Sequence, residues 1–163
     1  MASISCQHIY KIYPGATAPA VTDFNLEIQD KEFIIFVGPS GCGKTTLLQE
    51  IAARGSEIVD CDALYYELLK TDPDLKAALA AAFGDIFLPD GSLDRPKLAS
   101  LVFSSADKLA KLNEIVFFHV GRAVKHRKAQ AEASGKTIFA IDAINLLESG
   151  MGALCDVTVC VFA

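Results

Sequence analysis

Eight consecutive residues, Gly38-Pro39-Ser40-Gly41-Cys42-Gly43-Lys44-Thr45, match the pattern G-x-x-x-x-G-K-[ST], and this stretch restricts the fold more tightly than any other in the chain. In that pattern the glycines let backbone N–H groups close around phosphate oxygens, the lysine reaches the β- and γ-phosphates, and the hydroxyl takes a place on Mg²⁺. Such a loop must leave a strand and enter a helix. Both are expected here: Phe33-Ile34-Ile35-Phe36-Val37 reads as a buried strand, and Thr46-Leu47-Leu48-Gln49-Glu50-Ile51 opens a helix whose N-terminal dipole favours anions. The expected phosphate contacts are Gly38, Ser40, Gly41, Cys42, Gly43, Lys44, Thr45 and Thr46, with Thr45 as a ligand of Mg²⁺.

A chain of 163 residues can bury one real core, so one domain is the working count. With 52% hydrophobic and 21% charged residues it reads as globular, and no apolar run reaches the roughly 18 residues that span a bilayer. The start, Met1-Ala2-Ser3-Ile4-Ser5, has no basic region followed by an apolar one, so a cytoplasmic protein without membrane insertion is expected. A net charge of −5 argues against nucleic acid as a partner. Cys6, Cys42, Cys61, Cys155 and Cys160 are scattered and contain no C-x-x-C pair, so they are expected to be reduced, mostly as small buried hydrophobes.

Ile4 to Tyr13 and the alternating Phe24-Asn25-Leu26-Glu27-Ile28-Gln29 read as half-exposed antiparallel strands. Asp30-Lys31 makes a turn into the strand at Phe33, which is apolar on both faces as parallel strands are. Gly55 stops the first helix, and Glu57-Ile58-Val59-Asp60 is a short strand that runs into the acidic pair Asp60-x-Asp62. Asp72 and Pro73 open a helix that Gly84 closes, Pro89-Asp90-Gly91 is a turn, and Arg95 to Phe103 is helical. Ser104-x-x-Asp107 has the spacing of a capping box for a last helix, which runs almost to Gly135 unless it bends near Phe117-Phe118. Thr137-Ile138-Phe139-Ala140-Ile141 and Val157 to Phe162 are apolar strands. The expected class is α/β, a P-loop NTPase with an open parallel sheet, flanking helices and an N-terminal antiparallel β extension. Ligands of such sheets sit at the carboxyl ends of the strands, where Gly38, Asp60 and Asp142 fall.

Residues 1 to about 48 resemble the start of an ABC-transporter ATPase of the sugar-importer type. Ile9-Tyr10-Lys11-Ile12-Tyr13-Pro14-Gly15, Val21-Thr22-Asp23-Phe24-Asn25-Leu26-Glu27-Ile28, and Lys31 through Leu48 run in that family's order and spacing. The resemblance implies an aromatic at Tyr13 for adenine, although simple packing is expected in this setting. Beyond Leu48 the Gln-loop, the Leu-Ser-Gly-Gly-Gln signature and the switch histidine do not follow.

From the P-loop onward the chain resembles dephospho-CoA kinase. The resemblance is carried by Gly55-Ser56-Glu57-Ile58-Val59-Asp60-Cys61-Asp62-Ala63-Leu64, by Leu88-Pro89-Asp90-Gly91-Ser92-Leu93-Asp94-Arg95, and by Leu101-Val102-Phe103. It continues through Leu112-Asn113-Glu114-Ile115, Leu146-Leu147-Glu148-Ser149-Gly150 and Leu154-Cys155-Asp156. Phe117-Phe118 stand where the family usually has His-Pro, and Asn145-Leu146-Leu147 where it has Pro-Leu-Leu. The two resemblances together suggest a fusion at or just after the P-loop. Residues 1–32 would be the ABC-like extension and 33–163 a kinase core, with a helical substrate region at about 63–135 and the family's lid and C-terminus missing.

Phosphoryl transfer is mostly positioning and charge neutralisation. The resemblance implies Lys44, Asp62 and Asp60 as catalytic residues and ATP as donor. Asp62 would be the base for the ribose 3′-hydroxyl of dephospho-CoA, and Asp60 would orient it or help hold Mg²⁺. An aspartate after a strand can equally cap the next helix. Asp142 lies where a Walker-B-like carboxylate would bind metal, with a cap as the alternative. Arg95 is the substrate-side candidate. Arg122, Lys125, His126, Arg127 and Lys128 either meet substrate phosphates or form a solvated face favoured by the helix C-terminal dipole. His8 and His119 have no partners at metal spacing and read as structural. Two rivals to the kinase stand beside it: an ATP-binding fragment of a sugar transporter, whose partner is the permease, and a nonfunctional recombination product that only binds nucleotide.

Overall fold

Phe33, Ile34, Ile35 and Phe36 are buried, so the backbone of strand β3 (Phe33–Val37) must find all its hydrogen bonds within the protein. A computed structural model describes residues 3–12, 15, 17–19, 21–30, 32–37, 44–136, 138–143, 152 and 155–160, and β3 is paired there on both edges. The chain divides into two compact units, Met1–Asp60 with His126–Ala163, and Cys61–Lys125.

In the first unit, β3, β4 (Glu57–Asp60), β5 (Phe139–Asp142) and β6 (Val157–Cys160) form a sheet in the order β4-β5-β3-β6. Every pair is parallel, as the apolar runs led us to expect. Alternation puts Ile34, Phe36, Ile58, Ala140, Val157 and Val159 on one face, where they pack with Leu47, Leu48 and Ile51 of helix α1 (Lys44–Ala53). On the other face Phe33 meets Phe139 edge-on at 5.1 Å, and Lys128 Nζ lies 5.6 Å from the Phe33 ring centroid. Asp156 brackets the start of β3: its carboxylate accepts from the Phe33 amide at 2.6 Å and its own amide donates to the Phe33 carbonyl at 2.7 Å. Strands β1 (Ile4–Lys11) and β2 (Val21–Ile28) pair antiparallel as a separate sheet. Ile4, Cys6, Val21 and Ile28 on its inner side join the same core as Ile34 and Phe36.

The second unit holds α2 (Cys61–Thr71), α3 (Pro73–Phe83), α4 (Arg95–Val102) and most of α5 (Ala106–Ala133), whose end belongs to the first unit. Its core is Leu69, Leu75, Leu79, Ile86, Leu98 and Val102. Asp72 caps α3 as expected, accepting from the amides of Asp74 and Leu75, with Pro73 in the first turn and Gly84 at the C-cap. Asp72 also binds two residues of α5: its Oδ2 lies 3.0 Å from His119 Nδ1 and 3.0 Å from Arg122 Nη2. Burial alone would push the Asp72 carboxyl up; the hydrogen bonds from His119, from the two amides and from Arg122 outweigh it and hold the carboxyl below its ordinary value.

Three sequence expectations are corrected here. Ser104 does not cap α5: its hydroxyl donates back to the Leu101 carbonyl, while Ser105 Oγ takes the Lys108 amide and the Ser105 carbonyl the Leu109 amide. The basic run is not a face favoured by the helix C-terminal dipole: α5 runs to Ala133, close to the Gly135 expected, with no basic residue in its last turn, and Arg122 is committed to Asp72. Of the described cysteines, Cys6 and Cys61 are buried but Cys155 is half-buried and Cys160 exposed; none of the four is in a disulfide. Burial, with the Asp156 charge, pushes the Cys155 thiol up to about 11. His119 is the buried, satisfied histidine expected, and exposed His8 has Asp23 at 2.6 Å. Among the described residues no helix is long and apolar enough to cross a membrane.

Two stability experiments follow from this packing. Ile28→Ala, in the hairpin but fully buried, should cost about 2–5 kcal/mol in urea unfolding; a hairpin that merely rests on the surface would show almost none. Asp72→Ala should cost about 3 kcal/mol, since it removes a cap and leaves Arg122 and His119 without their carboxylate. Because the Asp72 carboxyl is held low, its contribution is present above the unfolded value of about 4 and fades as pH falls further. The gap between wild type and variant should therefore be full at pH 6 and shrink below about pH 4.

Candidate functional site

The parallel register sets the carboxyl ends of three strands level. Phe36 of β3 pairs with Asp142 of β5, and Asp142 pairs with Asp60 of β4. Adjacent strands lie about 5 Å apart, so the two carboxylates are neighbours. Alternation puts both on the face that carries Ile34, Phe36 and Ala140, the side against which α1 packs. Asp142 is thus the last residue of its strand, one position earlier in the architecture than its sequence setting suggested. Helix α1 begins at Lys44, whose side chain is buried together with that of Thr46, while Thr45 is exposed. Gly38, Ser40, Gly41, Cys42 and Gly43 lie outside the described residues, as do Tyr13 and Leu146 to Gly150.

Asp62 falls in the first turn of α2, in the second unit. There a carboxylate complements the helix dipole, so the position suits a cap-like role as well as a chemical one. Tyr66 follows four residues later, and the Arg95 guanidinium lies 4.5 Å from the centroid of its ring. Arg95 opens α4, behind the cap in which Asp94 accepts from the Lys97 amide. Tyr66 and Arg95 line a pocket of about 420 Å³ with Leu69, Lys70, Lys76 and the turn Asp90-Gly91-Ser92-Leu93. Gly91 is at φ +79°, a conformation that favours glycine, and its carbonyl accepts from Lys76 Nζ at 3.3 Å. Asp90 closes the turn by accepting from the Ser92 hydroxyl at 2.6 Å and the Ser92 amide at 2.9 Å, which holds its carboxyl low. Burial pushes the neighbouring Tyr65 phenol up.

The sequence-derived candidates therefore separate. Lys44, Thr45, Thr46, Asp60 and Asp142 belong to the first unit, Asp62 and Arg95 to the second. Tyr66, Lys70 and Lys76 were missed. Their signal was available in part, because Asp62, Tyr66 and Lys70 recur every four residues and so share one side of a helix. No local pattern announces Lys76, which reaches the pocket from α3.

A parallel sheet whose strand β3 leads into a P-loop pattern, with carboxylates at the ends of β5 and β4, is an α/β fold of the P-loop NTPase type. The family model for dephospho-CoA kinase (CoaE) matches residues 33–163, so the chain belongs to that family. Over 127 residues it is 38% identical to a dephospho-CoA kinase of Streptomyces avermitilis, covering 77% of this chain and 61% of that one. The chain spans about three fifths of the length of the curated kinases it matches. It is also 54% identical over 67 residues to the oligosaccharides import ATP-binding protein MsmX of Bacillus subtilis, a stretch that is 41% of this chain and 18% of that protein. Among solved structures it is similar to TT1252 from Thermus thermophilus, with a TM-score of 0.66 and 26% identity over 82% of this chain and 66% of that one. The family match begins where β3 begins and leaves β1 and β2 outside it.

Proposed function

We propose that this chain transfers the γ-phosphoryl group of ATP to the ribose 3′-hydroxyl of dephospho-CoA, giving coenzyme A and ADP. The observation that carries the reading is the register that sets Asp60 and Asp142 side by side where β3 runs into the phosphate-binding pattern. Membership of the kinase family supports the choice of acceptor.

In this reading the backbone amides of Gly38 to Thr46 and the Lys44 ammonium hold the donor phosphates. Asp62 accepts the proton of the acceptor hydroxyl, whose oxygen forms a bond to the γ-phosphorus as the bond to the bridging oxygen breaks and ADP leaves. Asp60 orients that base or faces the metal, and Arg95 steadies the acceptor. The residues fit Mg²⁺, which is commonly held by one or two carboxylates together with water and substrate phosphates. Thr45 and Asp142 would hold it, with Asp60 beside them, and when bound it neutralises phosphate charge. The working place is the cytoplasm. The ABC-like match supports a further element of the reading, that the N-terminal hairpin descends from a sugar-importer ATPase joined near the P-loop. That match is also what favours the rival, a nucleotide-binding piece of a transporter acting with a permease.

The test is incubation with Mg-ATP and dephospho-CoA, with coenzyme A read by mass. Product is expected from the unsubstituted chain and none from Lys44→Ala. Asp62→Asn should lower turnover by about 10²- to 10⁴-fold while ATP still binds. A folded chain that binds ATP but forms no product would leave the nucleotide-binding rival as the better account.

A further inference from the structure

Among the described residues two other than glycine have positive φ, His8 and Asp23, both at +50°, and they stand on opposite strands of the N-terminal hairpin. In that conformation a side chain crowds its own backbone, and histidine and aspartate are among the few types that enter it with any frequency. Each sits at a bulge. Ile4 pairs with Ile28 and Cys6 with Leu26; then β1 gains one residue, so that Ile9 faces Phe24, and β2 gains one in return, so that Lys11 meets Val21 in the original register. The two bulges cancel in register but not in facing. Ile4 and Cys6 lie on the inner side, and strict alternation would next bring in His8 and Tyr10; instead Ile9 is half-buried, Val21 is buried, and His8 and Tyr10 are exposed.

Side-chain bonds hold this stretch of the ladder. Asn25 Oδ1 accepts from the His8 amide at 2.8 Å, Asn25 Nδ2 donates to the Asp23 carbonyl at 2.7 Å, and His8 Nδ1 lies 2.6 Å from Asp23 Oδ1. A regular ladder between the same ends is also open to the sequence. It would pair His8 with Phe24, Ile9 with Asp23 and Tyr10 with Thr22, leave the pairs at both ends in place, and need no left-handed residue. It would also turn His8 and Tyr10 inward and Ile9 and Val21 outward. Burial of the more apolar side chains favours the bulged state and relief of two strained residues favours the regular one, so the two effects oppose each other. Ile9 and Val21 belong to the apolar cluster that seats Leu47, Leu48 and Ile51 of α1, the helix that begins at Lys44.

We propose that the hairpin is a two-state device coupled to the phosphate-binding helix: the bulged state, held by His8, Asp23 and Asn25, packs α1 for nucleotide, and the regular state withdraws Ile9 and Val21 from it. The coupling to nucleotide rests on the proposed kinase reading; the two hairpin states do not.

The experiment is nuclear magnetic resonance of the isotopically labelled 163-residue chain, read through contacts between the two strands, with calorimetric titration of ATP beside it. The unsubstituted chain should show Ile9 against Phe24. The double variant His8→Val with Asp23→Val removes the side-chain bond and puts β-branched residues where φ is positive. It should lose the contact of Ile9 with Phe24, gain one between position 8 and Phe24, keep Ile4 against Ile28, and bind ATP several-fold more weakly. The double variant His8→Gly with Asp23→Gly tolerates positive φ, so it should keep the bulged contacts and the ATP affinity of the unsubstituted chain. Persistence of the contact between Ile9 and Phe24 in the valine variant, or loss of the one between Ile4 and Ile28 along with it, would overturn the two-state hairpin. A valine variant that changes its pairing yet binds ATP as the unsubstituted chain does would overturn the coupling. Absence of ATP binding by the unsubstituted chain would overturn the kinase reading together with the coupling, while the strand contacts still decide the hairpin.

Discussion

The backbone of β3 has no water to bond to, because Phe33, Ile34, Ile35 and Phe36 are buried, and this one requirement organises the first unit. It is met by parallel neighbours on both edges, β5 and β6, and β5 in turn pairs with β4. Parallel pairing in this register sets the carboxyl ends of the strands together, so two aspartates far apart in sequence, Asp60 and Asp142, become neighbours beside the strand that leads into the loop. The same buried face receives α1 and the inner side of the N-terminal hairpin. The hairpin is therefore more than an appendage, since its Ile28 and Cys6 lie in one apolar cluster with Ile34 and Phe36.

In the second unit the organising contact is polar. Asp72 closes the N-terminus of α3 and at the same time joins it to α5 through His119 and Arg122. A nearly buried carboxylate is tolerable there because two backbone amides, the His119 ring and the Arg122 guanidinium surround it. With α3 and α5 so held, Lys76 is presented toward the turn at Gly91, and Arg95 toward Tyr66.

Much of this was legible in the sequence. The P-loop pattern, the apolar strand runs, the stop at Gly84 and the cap at Asp72 with Pro73 all express local chemistry, and β3, β4, β5, β6 and α3 appear close to where that chemistry places them, whereas α2 (Cys61–Thr71) had no such signal read for it. The misses share a cause. Ser104 and Ser105 are equally capable caps, and the choice depends on where the preceding turn ends, so that Ser104 bonds back to Leu101 instead. The basic run read as meeting substrate phosphates or as a solvated face favoured by the helix dipole, but its Arg122 belongs to a carboxylate 50 positions away. The pocket cations come from α2, α3 and α4, which no window along the chain contains.

By itself, then, the sequence determined the class of fold and the chemistry of its loop, since hydrophobic periodicity and glycine, lysine and hydroxyl spacing act over a few residues. Only the tertiary structure decided which carboxylates stand together, which histidine is spent on a structural contact, and which lysines share a pocket with Arg95. Strand order and helix packing bring together groups that are tens of residues apart, and no local propensity encodes those meetings.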